Sequence, residues 1–196
     1  MRAYGGLKDF PGARYLKDGK GVLEYDCDIL LPAALEAQIT AENAARIGAP
    51  LIAEAANGPV TAEADNILRQ KGAIILPDVY LNAGGVTVSY FEWIKNISHI
   101  RFGRLERRLE ESRGEQVVAL LEAMLGEKVP AELTTKLSRG SDELDLVRSG
   151  LDDTMRLAYQ AIREVWHNND EVEDLRTAAF VIAIQKIATA FEEMGV

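Results

Sequence analysis

Histidine, cysteine and positive charge are all scarce in this chain of 196 residues. The one cysteine, Cys27, rules out an internal disulfide. Its place just before the apolar run Ile29-Leu30-Leu31 reads as a buried, inert thiol, with a reactive thiol as the alternative. The two histidines, His99 and His167, are far apart in sequence, so no metal-ligand cluster is expected. No apolar run approaches the about 18 residues of a membrane span. The segment Met1-Arg2-Ala3-Tyr4-Gly5-Gly6 has no apolar signal region. A soluble, intracellular protein of the cytoplasm, with no membrane partner, is therefore expected. With 31 acidic against 22 basic residues the formal net charge is -9. That gives no general attraction to nucleic acid or anionic surfaces. No Gly-x-Gly-x-x-Gly follows any strand, no lysine sits in a Gly-rich turn, and no Ser-His-Asp or Cys-His set is apparent. No residue is assigned a catalytic role. Internal repeats and low-complexity tracts are also lacking.

What is present is an alternation of short apolar runs and helical segments. Residues 1 to 24 carry little periodicity beyond one short strand around Ala13 to Leu16. Cys27 to Leu31 reads as a brief strand stopped by Pro32, and Thr40 caps a short helix through Arg46. Leu51 to Ala55 is the second strand, with Asn57-Gly58-Pro59 as its turn. Thr61 opens a helix that ends near Lys71-Gly72, and Ala73 to Leu76 is the third strand. This spacing predicts βαβαβ, an α/β fold with a partial, Rossmann-like, doubly wound parallel sheet followed by C-terminal helices. Three strands make only half of such a sheet, and its open side needs a cover, so an oligomer is expected.

Residues 77 to 93 form the centre of the pattern. The chain leaves the third strand at Pro77, turns through Asn82 and Gly84-Gly85, and opens a helix carrying Val86, Thr87, Ser89, Tyr90 and Trp93. Two glycines at such a turn allow a ligand close to the backbone, and the start of a helix favours an anion there, a carboxylate or a phosphate. The alternative is that the glycines only make the turn. Asn57 and Asn82 both follow strand carboxyl ends, the edge where ligands bind in open α/β sheets. Their amides suit a nucleotide's ribose or carboxamide. Each could equally be a turn residue that tolerates left-handed geometry.

Beyond Trp93 the pattern is helical. Arg104 to Leu125 is an amphipathic helix, and the mixed charges between Arg101 and Arg113 read as a solvated, salt-bridged face, with a subunit contact as the alternative. Gly126 to Gly140 reads as a polar break, and Ser141 to Leu144 as a cap. Helices follow at Leu151 to His167 and Leu175 to Met194, the last apolar on most sides and expected to be well buried. Arg176 reads as a salt-bridge partner. The division expected is residues 1–98, a partial dinucleotide-binding domain, and 99–196, a helical region packing back on it.

Several stretches resemble the hexameric glutamate dehydrogenases. They are Ala53-Glu54-Ala55-Ala56-Asn57-Gly58-Pro59-Val60-Thr61, Pro77-Asp78, and Leu81-Asn82-Ala83-Gly84-Gly85-Val86-Thr87-Val88-Ser89-Tyr90-Phe91-Glu92-Trp93. Asp26 to Ala34, Val147 to Leu151 and Asp174 to Ala179 are similar too. The resemblance implies the reaction of L-glutamate to 2-oxoglutarate and ammonia, with hydride passing to NAD or NADP. It places Asn57 and Asn82 beside the cofactor, and Val86 and Ser89 in the wall of the pocket for the substrate's side-chain carboxylate. The family's substrate domain and the glycine fingerprint of its cofactor domain have no counterpart here. The chain thus looks like the C-terminal part of such an enzyme, with an incomplete cofactor site, inactive alone. Its expected partners are the missing N-terminal half or homologous subunits. One alternative is a non-catalytic protein docking on full-length dehydrogenase subunits; a weaker one is a stand-alone nucleotide-binding module.

Overall fold

A computed structural model of the chain describes residues 8, 10–15, 17–98 and 104–195. The expected strand at residues 13–16 is not formed at 13–15, which have no regular structure, and residue 16 lies outside the described residues. His99 and residues 101–103 of the basic stretch also lie outside them.

Three short strands, β1 (Ile29–Leu30), β2 (Leu51–Ala53) and β3 (Ile74–Leu76), form a parallel sheet in the order β1-β2-β3. Leu51 faces Ile29 on one side and Ile74 on the other. The expected helix between β1 and β2 is a single 3-10 turn, Ala44–Arg46. The side chain of Asn43 explains this. Its oxygen accepts from the Thr40 amide at 2.8 Å and its nitrogen donates to the Gln38 carbonyl at 2.9 Å, so the chain is tied into a loop. Lys71 then caps that turn from outside, donating to the carbonyls of Ala45 and Ile47. Helix α1 (Ala62–Gln70) follows β2 as expected, with the Thr61 hydroxyl accepting from the Ala64 amide. It ends at Gly72, whose φ of +85° favours glycine.

Ile39, Ile47, Ile52 and Leu68 are essentially sealed from solvent and join Leu30, Val60 and Ile75 in one core. Burying each side chain stabilises the fold by about 1.5–3 kcal/mol before entropy is counted.

After β3 come α2 (Asp78–Leu81), α3 (Ala83–Ser98), α4 (Arg104–Leu125), α5 (Ala131–Ser138), α6 (Glu143–Asn168) and α7 (Leu175–Glu193). The chain forms two compact units, residues 1–83 with 159–196, and residues 84–158. The boundary expected at 98/99 adjoins residues outside the described ones. In the first unit α7 packs against β3 and α2, with Leu175, Ala178 and Ala179 buried beside Ile162 and Val172. The rest of α7 departs from the burial expected: Phe180, Ile184, Ile187 and Phe191 are exposed. In the second unit the polar break contains α5, an eight-residue helix that starts just after Pro130 and lies against α4. The cap expected at Ser141 to Leu144 is formed, Asp142 accepting the Asp145 amide at 3.0 Å, and α6 starts at that cap, two turns before the expected Leu151. Arg107 pairs with Glu111 one turn on, as a solvated charged face should. No helix among the described residues is long and apolar enough to cross a membrane.

Candidate functional site at the carboxyl edge of the sheet

Beyond Ala53 the chain continues into Glu54, whose side chain is 0% exposed. A charge at that depth needs partners. One carboxylate oxygen, Oε2, accepts from the Asp78 amide at 2.8 Å and from Arg176 at 2.7 Å. The other, Oε1, finds no hydrogen-bond partner among the described residues. Arg176, at the start of α7, also reaches Asp78 at 3.0 Å and Asp65 at 3.2 Å. Burial pushes the Glu54 carboxyl above its usual range, while the Arg176 charge and the Asp78 amide hold it back. Burial acts to lower the Arg176 pKa, but Glu54, Asp65 and Asp78 outweigh it and raise it. The guanidinium stays charged.

Ala55 and Ala56 then donate to the Pro32 carbonyl beyond β1, and Gly58 makes the turn with φ +52°. The loop after β1 braces that turn, the Ala37 amide donating to Gly58 at 2.8 Å. On the neighbouring strand the bend falls at Pro77, not at the glycine pair. Helix α2 starts directly after it, and Asn82 is its C-cap with right-handed dihedrals. Gly84 and Gly85 lie inside the first turn of α3. The turn function expected of them belongs to Pro77.

Two of the expected site residues meet. The Asn82 side-chain amide donates to the Asn57 side-chain oxygen. Neither residue has a positive φ; among the described non-glycine residues only Ala37 does. Left-handed geometry is therefore not why asparagine stands at these places. Their shared bond uses one donor and one acceptor, leaving hydrogen-bonding capacity for a ligand. Val86 and Ser89 both lie exposed on α3, Val86 at 72%, and the Ser89 hydroxyl donates back to the Gly85 carbonyl at 3.1 Å. Neither lines the cavity of about 390 Å³ in that unit. Val88, Phe91 and Lys95 from another face of α3 line it, with Glu143, Leu146 and Val147. Lys95 and Glu143 form an ion pair there. Among the described residues no group of three or more His, Cys, Asp or Glu side chains could hold a metal ion.

The Glu54–Asp78–Arg176 network, buried at Glu54 and partly exposed at the other two, is only half visible from the sequence. Arg176 was expected to form a salt bridge, but not across 122 positions to Glu54. An acid inside the apolar run Leu51 to Ala55 was the available signal.

The sequence profile of the glutamate/leucine/phenylalanine/valine dehydrogenases matches residues 2–135. The chain belongs to that family. It is 48% identical to a mitochondrial glutamate dehydrogenase of Dictyostelium discoideum over 98% of its own length and 38% of that protein's. It is also 48% identical to a probable glutamate dehydrogenase of Sinorhizobium fredii, over 94% of its length and 42% of the relative's. The chain thus spans about two fifths of the curated relatives it matches. Among solved structures, glutamate dehydrogenase of Peptoniphilus asaccharolyticus matches 84% of the chain at 31% identity and a TM-score of 0.51, over 31% of its own length. The hetero-hexameric glutamate dehydrogenase of Thermus thermophilus, in a Leu-bound form, matches all of the chain at 21% identity and TM-score 0.60, over 36% of its own length. That second likeness concerns the fold.

Proposed function

We propose that this dehydrogenase-family chain supplies part of the cofactor site and one wall of the substrate pocket of an NAD(P)-dependent glutamate dehydrogenase. The reaction interconverts L-glutamate with 2-oxoglutarate and ammonia, in amino-acid metabolism in the cytoplasm. In this reading residues 1–98 form the partial dinucleotide-binding domain and 99–196 the helical region. The observation that carries it is the paired Asn57 and Asn82 side chains at the carboxyl edge of a parallel sheet. Their amides fit the carboxamide and ribose end of a nicotinamide nucleotide, which supplies the hydride acceptor or donor when bound. They orient that end and contribute no proton. Val86 gives an apolar contact and Ser89 a hydroxyl for the substrate's side-chain carboxylate. The chain carries no glycine fingerprint for the pyrophosphate and no assigned proton donor, so we place those groups in an N-terminal half or in homologous subunits. The isolated chain is then inactive, and the working enzyme is an assembly.

A second reading, a non-catalytic protein docking on intact dehydrogenase subunits, is favoured by the exposed Phe180, Ile184, Ile187 and Phe191 on α7 and by Ile29 and Leu31 at the β1 edge. The test mixes the purified chain with NADH or NADPH, 2-oxoglutarate and ammonia, with and without the N-terminal part of the Sinorhizobium relative, and follows absorbance of the reduced cofactor. Activity only on mixing supports the first reading. Activity of the chain alone overturns it, and inhibition of full-length enzyme without activity on mixing supports the second.

A further inference from the structure

We propose that Asp78 is a positioning residue for the Asn57–Asn82 pair, which deepens the cofactor reading above and rests on it. Asp78 stands at the first position of α2, and four of its groups are engaged. Carboxylate Oδ2 accepts the Gly58 amide at 2.8 Å, the residue next to Asn57. Oδ1 accepts from Arg176 at 3.0 Å and from the Val79 amide at 2.8 Å. The Asp78 amide donates to Glu54 at 2.8 Å, and its carbonyl accepts the Asn82 amide at 3.1 Å. The Asp78 side chain therefore grips the backbone beside Asn57, while its carbonyl takes the closing helical bond from the Asn82 amide, and the two asparagine side chains meet each other.

A residue that merely capped α2 would spend its carboxylate on the amides of that helix. This one gives an oxygen to another loop, 20 positions away. Glu54 and Arg176 hold the carboxylate in that orientation: Arg176 bonds both acids at once, and Glu54 is sealed from solvent. Coupling therefore runs from the start of α7, through Arg176 and Asp78, to the turn that carries Asn57. Held this way, the two amides face a nucleotide already ordered, which removes part of the entropy cost of binding.

The whole chain, labelled with nitrogen-15 at asparagine and at the core residues Ile52, Leu68 and Ile75, provides the test by NMR without nucleotide. In the native chain the side-chain amide signal of Asn82, the donor of the pair, is expected to stand displaced from the position of a free amide. Asp78→Ala is expected to abolish that displacement while the Ile52, Leu68 and Ile75 signals stay in place. Asp78→Asn keeps an acceptor for the Gly58 amide but loses the ion pair, and is expected to restore part of the displacement. An unmoved Asn82 signal in a folded Asp78→Ala chain overturns the proposal, as do equal movements in both variants. If Asp78→Ala does not fold, Asp78→Asn decides alone: partial loss of the displacement supports the proposal, and no loss overturns it. Because no nucleotide is present, failure of the cofactor assignment in the mixing assay leaves this outcome standing, and the reverse also holds.

Discussion

Replacing Arg176 with alanine should be the most damaging single change in the first unit, and increasingly so as pH rises. Arg176 holds three carboxylates, and Glu54 among them has a side chain with no exposure. Removing one partner of a buried pair costs about 3–5 kcal/mol, because the other charge is left in a dry site. The Arg176 side chain is 27% exposed and Asp65 keeps Arg69 at 2.7 Å, so the lower end applies, about 3 kcal/mol. With a urea dependence of about 2 kcal/mol per molar, the unfolding midpoint should fall by about 1.5 M near neutral pH. The pH dependence follows from Glu54. Its folded pKa already lies above the usual 4.5, and without Arg176 it rises further. A carboxyl raised in this way does not oppose folding below its unfolded pKa, and it weakens the fold as pH climbs through the folded value. The gap between native and Arg176→Ala chains should therefore be small at pH 4 and largest above pH 7. Urea unfolding followed by circular dichroism at both pH values measures it. A gap under about 1 kcal/mol at pH 8, or one that is equal at both, refutes the reasoning. Adding Glu54→Gln to the variant should recover much of the loss at pH 8.

Glycines 114 and 85 should respond in opposite directions. A Cβ on Gly114 would lie 2.1 Å from the Leu137 carbonyl, so Gly114→Ala should lower stability by about 1–3 kcal/mol, whereas Gly85→Ala, in a helix and facing open space, should raise it by up to about 1 kcal/mol; thermal unfolding of each decides. In the reconstituted enzyme Ser89→Ala should raise the KM for glutamate by about 10–100-fold, the value of one hydrogen bond to a charged group, and an unchanged KM removes Ser89 from the pocket. Ile184→Ser and Ile187→Ser on the exposed part of α7 should change stability by less than about 0.5 kcal/mol while abolishing reconstituted activity, because the proposed assembly covers those residues; urea midpoints and the mixing assay separate the two effects.

Much of this fold could be read from sequence because the signals were local. Alternating apolar runs and the Thr61 cap placed all three strands and α1, and the asparagines at their carboxyl ends came together as a pair. The misjudged elements were those decided by contacts distant in sequence or by one polar side chain. Asn43 turned an expected helix into a 3-10 turn, and Asp142 started α6 well ahead of Leu151. The stretch Gly126 to Gly140 read as a polar break, yet it contains a helix that starts directly after Pro130. The apolar face of α7 looked like core because periodicity reports that a face is apolar, not what covers it. Glu54 shows the same limit at the site: its burial is a property of the sheet, and its partner is supplied by α7.

The central claim is that this chain provides a working cofactor edge and substrate wall for a glutamate dehydrogenase. The most direct measurement replaces the matching segment of the Sinorhizobium relative with residues 2–196 of this chain and determines kcat and KM for glutamate with NAD and with NADP. The account predicts glutamate oxidation with either cofactor, lost when Asn57 and Asn82 are both changed to alanine. A folded, assembled chimera with no glutamate oxidation, or one indifferent to that double change, would contradict it.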